Sequence, residues 1–276
     1  MSLIITATDF SAVAEDALHY SCNLALTNDA KVVILHSYVF PVMFSDVTFP
    51  ATLIDDTQRD AETKLDGLVN SLRVQYPSLD ISGHVGYGNI IDVIEDFSKN
   101  NTAPWLVVIG NSNSSEYSAW FDSTLHEAGS DFLYPLLAIP PGYTFKPVLK
   151  ICYAFDNNIK GQDMPLTQVK NFALQFNAEL NVFYAKKDGM NRDNLVNVDP
   201  KAKEILAEAN PHFHFDYGVN VDEAILAFNH KNNIDWLVIM PRSHSFFEGL
   251  FHSSHTKAIA QKIDIPFLLL HENKVK

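Results

Sequence analysis

The sequence contains few cysteines. Cys22 and Cys152 are the only two in 276 residues, and they do not form a CxxC pair. Two such cysteines cannot build a disulfide framework or a cysteine-rich zinc site. We therefore expect both to be reduced and buried among apolar side chains, as free cysteines usually are.

Positive charge and long apolar runs are also scarce. The chain has 20 Lys and Arg residues against 33 Asp and Glu residues, which gives a formal net charge of −13 at pH 7. Because nucleic acids and anionic membranes are bound by basic surfaces, this balance argues against both as partners. No run approaches the roughly 20 apolar residues of a spanning helix, and the first residues lack a signal-peptide pattern. The sequence therefore predicts a soluble, cytoplasmic protein.

Sequence signatures of catalysis are missing as well. The chain contains no GxSxG, HExxH or GxxxxGK[ST] motif, and no nucleophile is paired with a base at a recognisable spacing. His244, His252 and His255 allow two interpretations, metal ligands or surface histidines beside an aromatic cluster, and the second is favoured. We expect no catalytic residues and no metal site, which favours a non-enzymatic protein.

An internal repeat is the strongest feature that the sequence does have. Trp105–Val108 in the segment NNTAPWLVVIG is echoed by Trp236–Ile239 in NNIDWLVIMP, and Asp9 in ATDFS is echoed by Asp156 in AFDNN. A Pro-Pro-Gly-Tyr breaker cluster separates the two copies. With 47% hydrophobic residues, the chain has enough apolar material for two cores. We predict two domains of one type, residues 1–142 and 147–276.

Within the first copy, strand-like and helix-like periodicities alternate. The predicted strands are Leu3–Ala7, Lys31–Val39, Asp80–Gly86, Trp105–Ile109 and Leu136–Ile139. The predicted helices are Val13–Leu26 with Ser11 as N-cap, Ala51–Tyr76, Asn89–Lys99 and Phe121–Phe132. Strands that are apolar on both faces and joined by helices require a parallel sheet covered on both sides. The expected fold is α/β, with two doubly wound, mostly parallel five-stranded sheets and helices on both faces.

In such a sheet, ligands bind outside the carboxyl ends of the strands, where the strand order reverses. Thr8–Ser11 follows the first strand, Gly110–Asn113 follows the fourth, and the next helix begins near Ser123. Asp9 can accept hydrogen bonds from a base or ribose, and a Gly-containing turn before a helix can present N–H groups to phosphates. Asp9 also has a structural interpretation, since Asp after a strand is a good turn or capping residue.

These residues together resemble the universal stress protein family. The resemblance is carried by Thr8–Ser11 with Ala14, Ala17 and Leu18, by LVVIG, by Ser123-Thr124 and by the closing YPLLAIP. It covers nearly the whole chain as a tandem of two such domains. It implies an adenine nucleotide alpha hydrolase-like fold and a non-enzymatic role in stress response and regulation.

Nucleotide-binding members of that family carry Gly-x2-Gly-x9-Gly-Ser/Thr after the fourth strand. Here the pattern falls on Gly110, Asn113, Ser123 and Thr124, so two of its three glycines are replaced. Asn tolerates positive φ, but Ser123 keeps a phosphate further away, and Asp122 adds negative charge beside it. The resemblance therefore implies a retained base end at Asp9 and a damaged phosphate end.

The cofactor implied by the resemblance is ATP or another adenine nucleotide with Mg²⁺ in the first domain. The candidate binding residues are Ala7, Thr8, Asp9, Tyr38, Gly110, Ser112, Asn113, Ser123 and Thr124. In the second copy Asp156 remains, but Pro241 removes a backbone donor and no Gly-x2-Gly follows the fourth strand.

The family resemblance also implies that the two domains pair as an internal pseudo-dimer. The expected strands at the seam are Leu136–Ile139 and Phe267–Leu270, since pairing covers an apolar edge. A homodimer is a further expectation. Two alternative functions remain open: an ATP-binding signalling switch with an intact nucleotide site, and a small-molecule transferase or hydrolase on the same fold.

Overall fold

The structure of the protein is a computed structural model. It describes residues 2–39, 51–111, 132–155, 163–186, 198–217, 220–240 and 262–270, with the backbone alone at 51–55, 163–164, 186 and 217. The chain divides into two compact units. The first comprises residues 1–124 and 141–145, and the second comprises residues 125–140 and 146–276.

The described part of the first unit holds a parallel sheet. Its strands are β1 (Ser2–Ala7), β2 (Ala30–Tyr38), β3 (Ile81–Tyr87) and β4 (Leu106–Gly110), and its helices are α1 (Ala12–Asn28), α2 (Ala51–Gln75) and α3 (Ile90–Asn100). The strand order is β3-β2-β1-β4, with Ile4 of β1 opposite both Val32 and Leu106. The chain therefore winds from β1 first to one side and then to the other.

The helices lie on both faces of this sheet. Gly83 and Gly86, three positions apart in β3, point to opposite faces. A Cβ on Gly83 would lie 3.0 Å from Leu65 of α2, and one on Gly86 would lie 2.5 Å from Val93 of α3. α2 and α3 therefore cover opposite faces of the sheet. Every residue of β4, against which α1 packs, is buried.

Two side chains cap the helices of the first unit. Ser11 accepts a hydrogen bond from the backbone N–H of Ala14 at the start of α1, with its Oγ 3.2 Å from that nitrogen. Asn89 accepts from the N–H of Ile91 at the start of α3, at 2.8 Å. Both contacts satisfy amide groups that have no partner inside the helix. The predicted N-cap at Ser11 is confirmed.

Residues 141–145 pack against helix α1 within the first unit. The backbone N–H of Gly142 donates to the carboxylate of Asp16 at 2.7 Å. The rings of Tyr143 and Phe145 lie 6.1 Å and 5.3 Å from the buried ring of Tyr20. The breaker cluster predicted from the sequence is thus an ordered part of this unit's surface.

The second unit repeats the same elements. Its strands are β5 (Leu136–Ile139), β6 (Lys150–Ala154), β7 (Glu179–Lys186), β8 (His212–Tyr217), β9 (Trp236–Ile239) and β10 (Phe267–Leu269). Its helices are α4 (Asp163–Phe176), α5 (Pro200–Leu206) and α6 (Val221–Asn232), and a 3-10 turn spans Ala207–Ala209. The strand order is β5-β10-β9-β6-β7-β8. All pairs are parallel except β5 with β10, where Leu137 lies opposite Leu268 in an antiparallel ladder.

The expected mostly parallel α/β fold is confirmed, and the strand boundaries of the first copy agree with the sequence to within one or two residues. The predicted helix Phe121–Phe132 lies outside the described residues except for Phe132, which is buried but not helical. None of the described helices is both long and apolar enough to cross a membrane.

Both cysteines are unpaired and buried, as expected from the sequence. Burial raises the pKa of the Cys22 thiol to about 12, because desolvation disfavours the thiolate. The pKa of Cys152 is raised for the same reason. Neither thiol is therefore a reactive nucleophile near neutral pH.

Candidate functional site

The strands β2, β1 and β4 end side by side at one edge of the first unit's sheet. Ala7, the last residue of β1, lies opposite Leu35 of β2, so Thr8 comes level with His36. On the other side Thr6 lies opposite Val108, so Thr8 also comes level with Gly110. We call this place the carboxyl edge; it holds residues 8–11, 36–38 and 110. It is the point where the strand order reverses, which is where open α/β sheets bind ligands.

Thr8 organises the turn that leaves β1. Its backbone N–H donates to the carbonyl oxygen of Leu35 at 2.9 Å and extends the β1–β2 ladder by one bond. Its Oγ1 accepts from the N–H of Phe10 at 3.0 Å. Its carbonyl oxygen accepts from Nδ1 of His36 at 2.8 Å. Thr8 is buried, and its polar groups form hydrogen bonds inside the protein. It therefore fixes the conformation of the carboxyl edge and is not itself exposed to a ligand.

Asp9 is half-buried and takes part in the same turn. Its Oδ1 accepts from the backbone N–H of Ser11 at 2.9 Å. This is the turn role that the structural interpretation of the sequence assigned to Asp9. The Oδ2 atom accepts no hydrogen bond from any residue that the structure describes. A carboxylate can accept several bonds, so the turn role leaves capacity for a ligand.

An aromatic pair stands beside Asp9. The ring of Phe10 lies 4.4 Å from the imidazole of His36, with the two planes tilted by 46°. Phe10 has a φ of 64° and is 38% exposed. A bulky side chain in the left-handed region is uncommon and costs energy, and such strain clusters at functional sites.

The charge state of His36 follows from its surroundings. Burial lowers the pKa of His36, and Lys64 acts in the same direction, while the hydrogen bond to Thr8 and the negative charge of Asp9 oppose the change. The imidazole is therefore neutral at pH 7. Because a carbonyl oxygen only accepts, the proton is on Nδ1, and Nε2 is left as an acceptor.

Tyr38 is half-buried where β2 ends. Its hydroxyl donates to Oε1 of Gln58 in α2 at 3.1 Å. Its ring meets the ring of Tyr87 edge to face, with centroids 5.7 Å apart. These contacts direct Tyr38 towards α2 and β3, while Phe10 and His36 lie next to Asp9.

Gly110 is a packing residue at the end of β4. A Cβ there would lie 2.6 Å from the carbonyl oxygen of Val13 and 2.9 Å from its Cγ1. Real Cβ atoms do not approach backbone this closely, so the first turn of α1 can lie against β4 only because this residue has no side chain. Asn111, the next residue, is buried as well.

The corresponding edge of the second unit is built differently. The N–H of Phe155 donates to the carbonyl oxygen of Phe183 at 2.8 Å, as that of Thr8 does to Leu35. Phe155 therefore takes the place of Thr8, and Tyr184 takes the place of His36. Phe155 has no hydroxyl to hold a turn, and Asp156 lies outside the described residues.

Comparison with known proteins identifies the family. The model of the universal stress protein family matches residues 1–127 and 148–271. The chain belongs to the universal stress protein family. The two matched segments make it a tandem member, as the internal repeat predicted. No curated protein matches the sequence significantly.

Solved structures of similar fold cover nearly the full length of this tandem protein. A universal stress protein from Archaeoglobus fulgidus DSM 4304 superposes with a TM-score of 0.72 at 15% identity, covering 98% of each chain. A functionally unknown protein from Pseudomonas aeruginosa PAO1 gives 0.60 at 15% identity, covering 99% of this chain and 93% of that chain. The cytoplasmic domain of a prokaryotic cation chloride cotransporter gives 0.53 at 9% identity, covering 97% and 94%. At these identities the likeness shows the fold.

Five of the nine residues that the resemblance nominated lie at the carboxyl edge or directly before it: Ala7, Thr8, Asp9, Tyr38 and Gly110. Tyr38 stands at the same edge but is engaged by α2 and β3. Ser112, Asn113, Ser123 and Thr124 lie outside the described residues. Sequence reasoning did not assign Phe10 and His36 to the site, although a His directly after the apolar run Val32–Leu35 is a signal that could have been used.

No cluster of metal-binding side chains occurs in the part of the chain that the structure describes. The histidine segment singled out in the sequence, His244 to His255, lies outside that part.

Proposed function

We propose that this universal stress protein is a non-enzymatic regulator in the stress response, and that it binds an adenine nucleotide at the carboxyl edge of its first domain. The observation that carries the proposal is the arrangement of Asp9, Phe10 and His36. One carboxylate oxygen of Asp9 holds the turn and the other can accept from a ligand, while a partly exposed aromatic ring and a neutral imidazole stand next to it.

The chemistry of this arrangement suits an adenosine. Asp9 can accept hydrogen bonds from ribose hydroxyls. His36 Nε2 is an acceptor, which matches the exocyclic amine of adenine and not the carbonyl oxygen at the same place in guanine. Phe10 supplies an apolar ring against which a base can pack. These three contacts explain why a base end would be retained while the glycines of the phosphate end are replaced.

The phosphate end is assigned to Gly110, Ser112, Asn113, Ser123 and Thr124, with Mg²⁺ at the phosphates of ATP. The loss of two glycines and the presence of Asp122 weaken the capture of negative oxygens. We therefore propose that affinity depends on the nucleoside part and changes little with the number of phosphates.

Isothermal titration of the full-length protein tests this proposal. AMP and ATP with Mg²⁺ are expected to bind with similar affinity, and GMP more weakly. Asp9→Ala should abolish binding. Asp156→Ala, the same change at the repeated position, should leave binding intact and is the matched control. No binding of either adenine nucleotide would overturn the proposal, and tight binding of ATP alone would favour the signalling switch with an intact phosphate site.

Loss of binding through loss of the turn can be separated from loss of a ligand contact. Asp9→Asn keeps an oxygen that can accept from Ser11 but removes the negative charge. We expect Asp9→Asn to fold like the wild type and to bind less nucleotide than it. Phosphate release from ATP should stay at background in all variants, and turnover that depends on Asp9 would favour the transferase or hydrolase alternative.

We also propose that domains at residues 1–142 and 147–276 pair as an internal pseudo-dimer through Leu136–Ile139 and Phe267–Leu270. The antiparallel ladder between β5 and β10 supports this, since Leu136, Leu137 and Ala138 face Leu269, Leu268 and Phe267. Deletion of residues 141–276 leaves β5 as an unpaired apolar edge. The fragment should dimerise or aggregate, and a stable monomer in sedimentation would contradict the pairing. We also propose that two copies of the full-length protein form a homodimer, and sedimentation of the full-length protein tests this.

A cytoplasmic location is proposed on chemical grounds. Cys22 and Cys152 are buried and unpaired, which is the usual state of cysteines in proteins from a reducing compartment. Fractionation of cells that express the tagged protein tests this.

A further inference from the structure

A second concave site lies on the first unit, between strand β3 and helix α3. It is a cavity of about 200 Å³ lined mainly by His84, Tyr87, Asp96, Phe97, Asn100 and Asn101, and we call it the α3 cavity. None of these residues belongs to the nucleotide site proposed above. β3 is the edge strand of the described sheet of this unit.

Three side chains at the end of helix α3 give the α3 cavity hydrogen-bond acceptors. Asn100 Nδ2 donates to the backbone oxygen of Asp96, and Asn101 Nδ2 donates to that of Phe97, both at 2.9 Å. Because those backbone oxygens only accept, each amide uses its nitrogen on the helix and keeps its Oδ1 as an acceptor. The carboxylate of Asp96 adds a negative charge to the same lining.

The helix itself favours positive charge at this place. Asn100 and Asn101 are the last residue and the C-cap of α3, where the helix dipole presents its negative end, and Asp96 lies one turn before Asn100. A cation of the protein itself is already present there, since Nζ of Lys99 lies 3.3 Å from Asp96 and 3.7 Å from Glu95. The hydrogen bond to Asp96 and the charges of both carboxylates raise the pKa of Lys99.

The remaining lining is aromatic and apolar. The rings of His84 and Phe97 lie 5.1 Å apart, and Tyr87 is 62% exposed. Gly86 and Val93 bring strand and helix into contact at the inner wall. Aromatic faces attract cations, and an apolar wall favours an aliphatic stem.

We propose that the α3 cavity binds an organic cation, an ammonium or guanidinium group on a short apolar stem. The stem packs on Phe97 and Val93, and the cation is held by the Asp96 carboxylate and the amide oxygens of Asn100 and Asn101. A free amine and an Arg or Lys side chain of a peptide carry the same chemistry. Lys99 is the internal competitor, because its ammonium already approaches Asp96.

The test uses butylguanidinium as the probe and the full-length protein. Amide chemical shifts of residues 82–88 and 94–101 are followed by NMR as the probe is added, with 1-butanol as the uncharged comparison. For so small a ligand we expect a dissociation constant on the order of 1 mM, saturable shifts confined to these residues, and weaker binding of butanol.

Three substitutions of exposed side chains on α3 make the test specific. Asp96→Asn should weaken butylguanidinium binding about fivefold, in line with the strength of exposed charge pairs. Lys99→Gln should tighten it, because the competitor is gone. Asp92→Asn, the matched control one turn earlier, removes the same charge from a residue outside the cavity lining and should change nothing.

The outcomes are distinct. Equal binding of butanol and butylguanidinium, equal effects of Asp92→Asn and Asp96→Asn, or no saturable shifts would each overturn the proposal. If the proposal holds, the affinity of a capped heptapeptide with one central Arg shows whether the natural ligand is a peptide or a free amine. Tighter binding than butylguanidinium supports a peptide that also contacts strand β3, and equal or weaker binding supports a free amine. None of these results depends on the nucleotide site.

Discussion

The backbone of Gly110 packs directly against the backbone of Val13: a Cβ on Gly110 would lie 2.6 Å from the carbonyl oxygen of Val13. Gly110 was nominated as the first glycine of a phosphate loop, yet the packing of α1 on β4 requires a glycine there whether or not a nucleotide binds. The two roles are compatible, since the same absence of a side chain serves both.

Gly110→Ala should destabilise the protein by about 1–3 kcal/mol, because the added methyl group overpacks a buried contact with backbone atoms. The matched control is Gly67→Ala in α2, where no atom lies within 4 Å of the added Cβ. That change should stabilise by about 0.5–1 kcal/mol, as alanine does in an exposed helix interior. Urea unfolding measures both, and equal effects would contradict the packing role.

Asp235 holds the backbone where strand β6 begins. Its Oδ2 accepts from the N–H groups of Leu149 and Lys150, both at 2.9 Å, and its Oδ1 lies 2.9 Å from Nζ of Lys146. Its side chain is only 10% exposed. Asp235→Ala should cost about 2–4 kcal/mol, because two backbone donors lose a charged acceptor.

The control for Asp235 is Asp264→Ala. Asp264 is 62% exposed and lies 3.6 Å from His230, so its loss should change the free energy of unfolding by less than about 0.5 kcal/mol. Thermal unfolding distinguishes the two substitutions. A small effect at Asp235 would mean that the start of β6 is held by other contacts.

Ser11→Ala should destabilise α1 by about 1 kcal/mol, because the N–H of Ala14 loses its capping acceptor. Ser71→Ala removes the same hydroxyl from an exposed position inside α2 and should be neutral or slightly stabilising, since alanine is the better helix former. Midpoints of urea unfolding compare them. If both substitutions behave alike, the cap at Ser11 contributes nothing.

His36 predicts a pH dependence of stability. Burial lowers its pKa in the folded protein below the ordinary value of 6.5, so the unfolded chain binds the proton more readily. The stability from the neutral imidazole is complete above that ordinary value. It is lost as the pH falls through the lower pKa of the folded state.

The measurement is the free energy of unfolding of wild type and His36→Gln between pH 7.5 and 5. The difference between them should shift in favour of the variant as the pH falls. His214, whose pKa is lowered first by burial and then by the charge of His212, should show the same direction. A difference that stays constant across this range would contradict the burial effect.

The sequence predicted those parts of the structure that depend on neighbours along the chain. The strands were predictable because the pattern of apolar residues along a short segment indicates which side chains are buried. The cap of α1 was predictable because the N–H that Ser11 accepts from belongs to Ala14, three residues away. The tandem of two domains was predictable because a repeated pattern can be recognised in the sequence without knowing any contact in the fold.

Contacts between residues far apart in the chain could not be predicted from the sequence. The approach of Gly110 to Val13 depends on the crossing of α1 over β4, about 100 positions apart in the chain. The bonds of Asp235 to Leu149 and Lys150 depend in the same way on the register of β6 with β9. At the carboxyl edge, the turn residues follow from local chemistry, but the pairing of Phe10 with His36 depends on β1 and β2 lying side by side.

The contacts of residues 141–145 with α1 have a consequence for biosynthesis. Gly142, Tyr143 and Phe145 reach Asp16 and Tyr20 only after β5, which pairs with β10, has emerged from the ribosome. A nascent chain that stops short of residue 141 lacks the ring contacts of Tyr143 and Phe145 with Tyr20. We expect such translation intermediates to be recognised by chaperones that bind aromatic surface, and release to follow once the stretch around Phe145 has been synthesised.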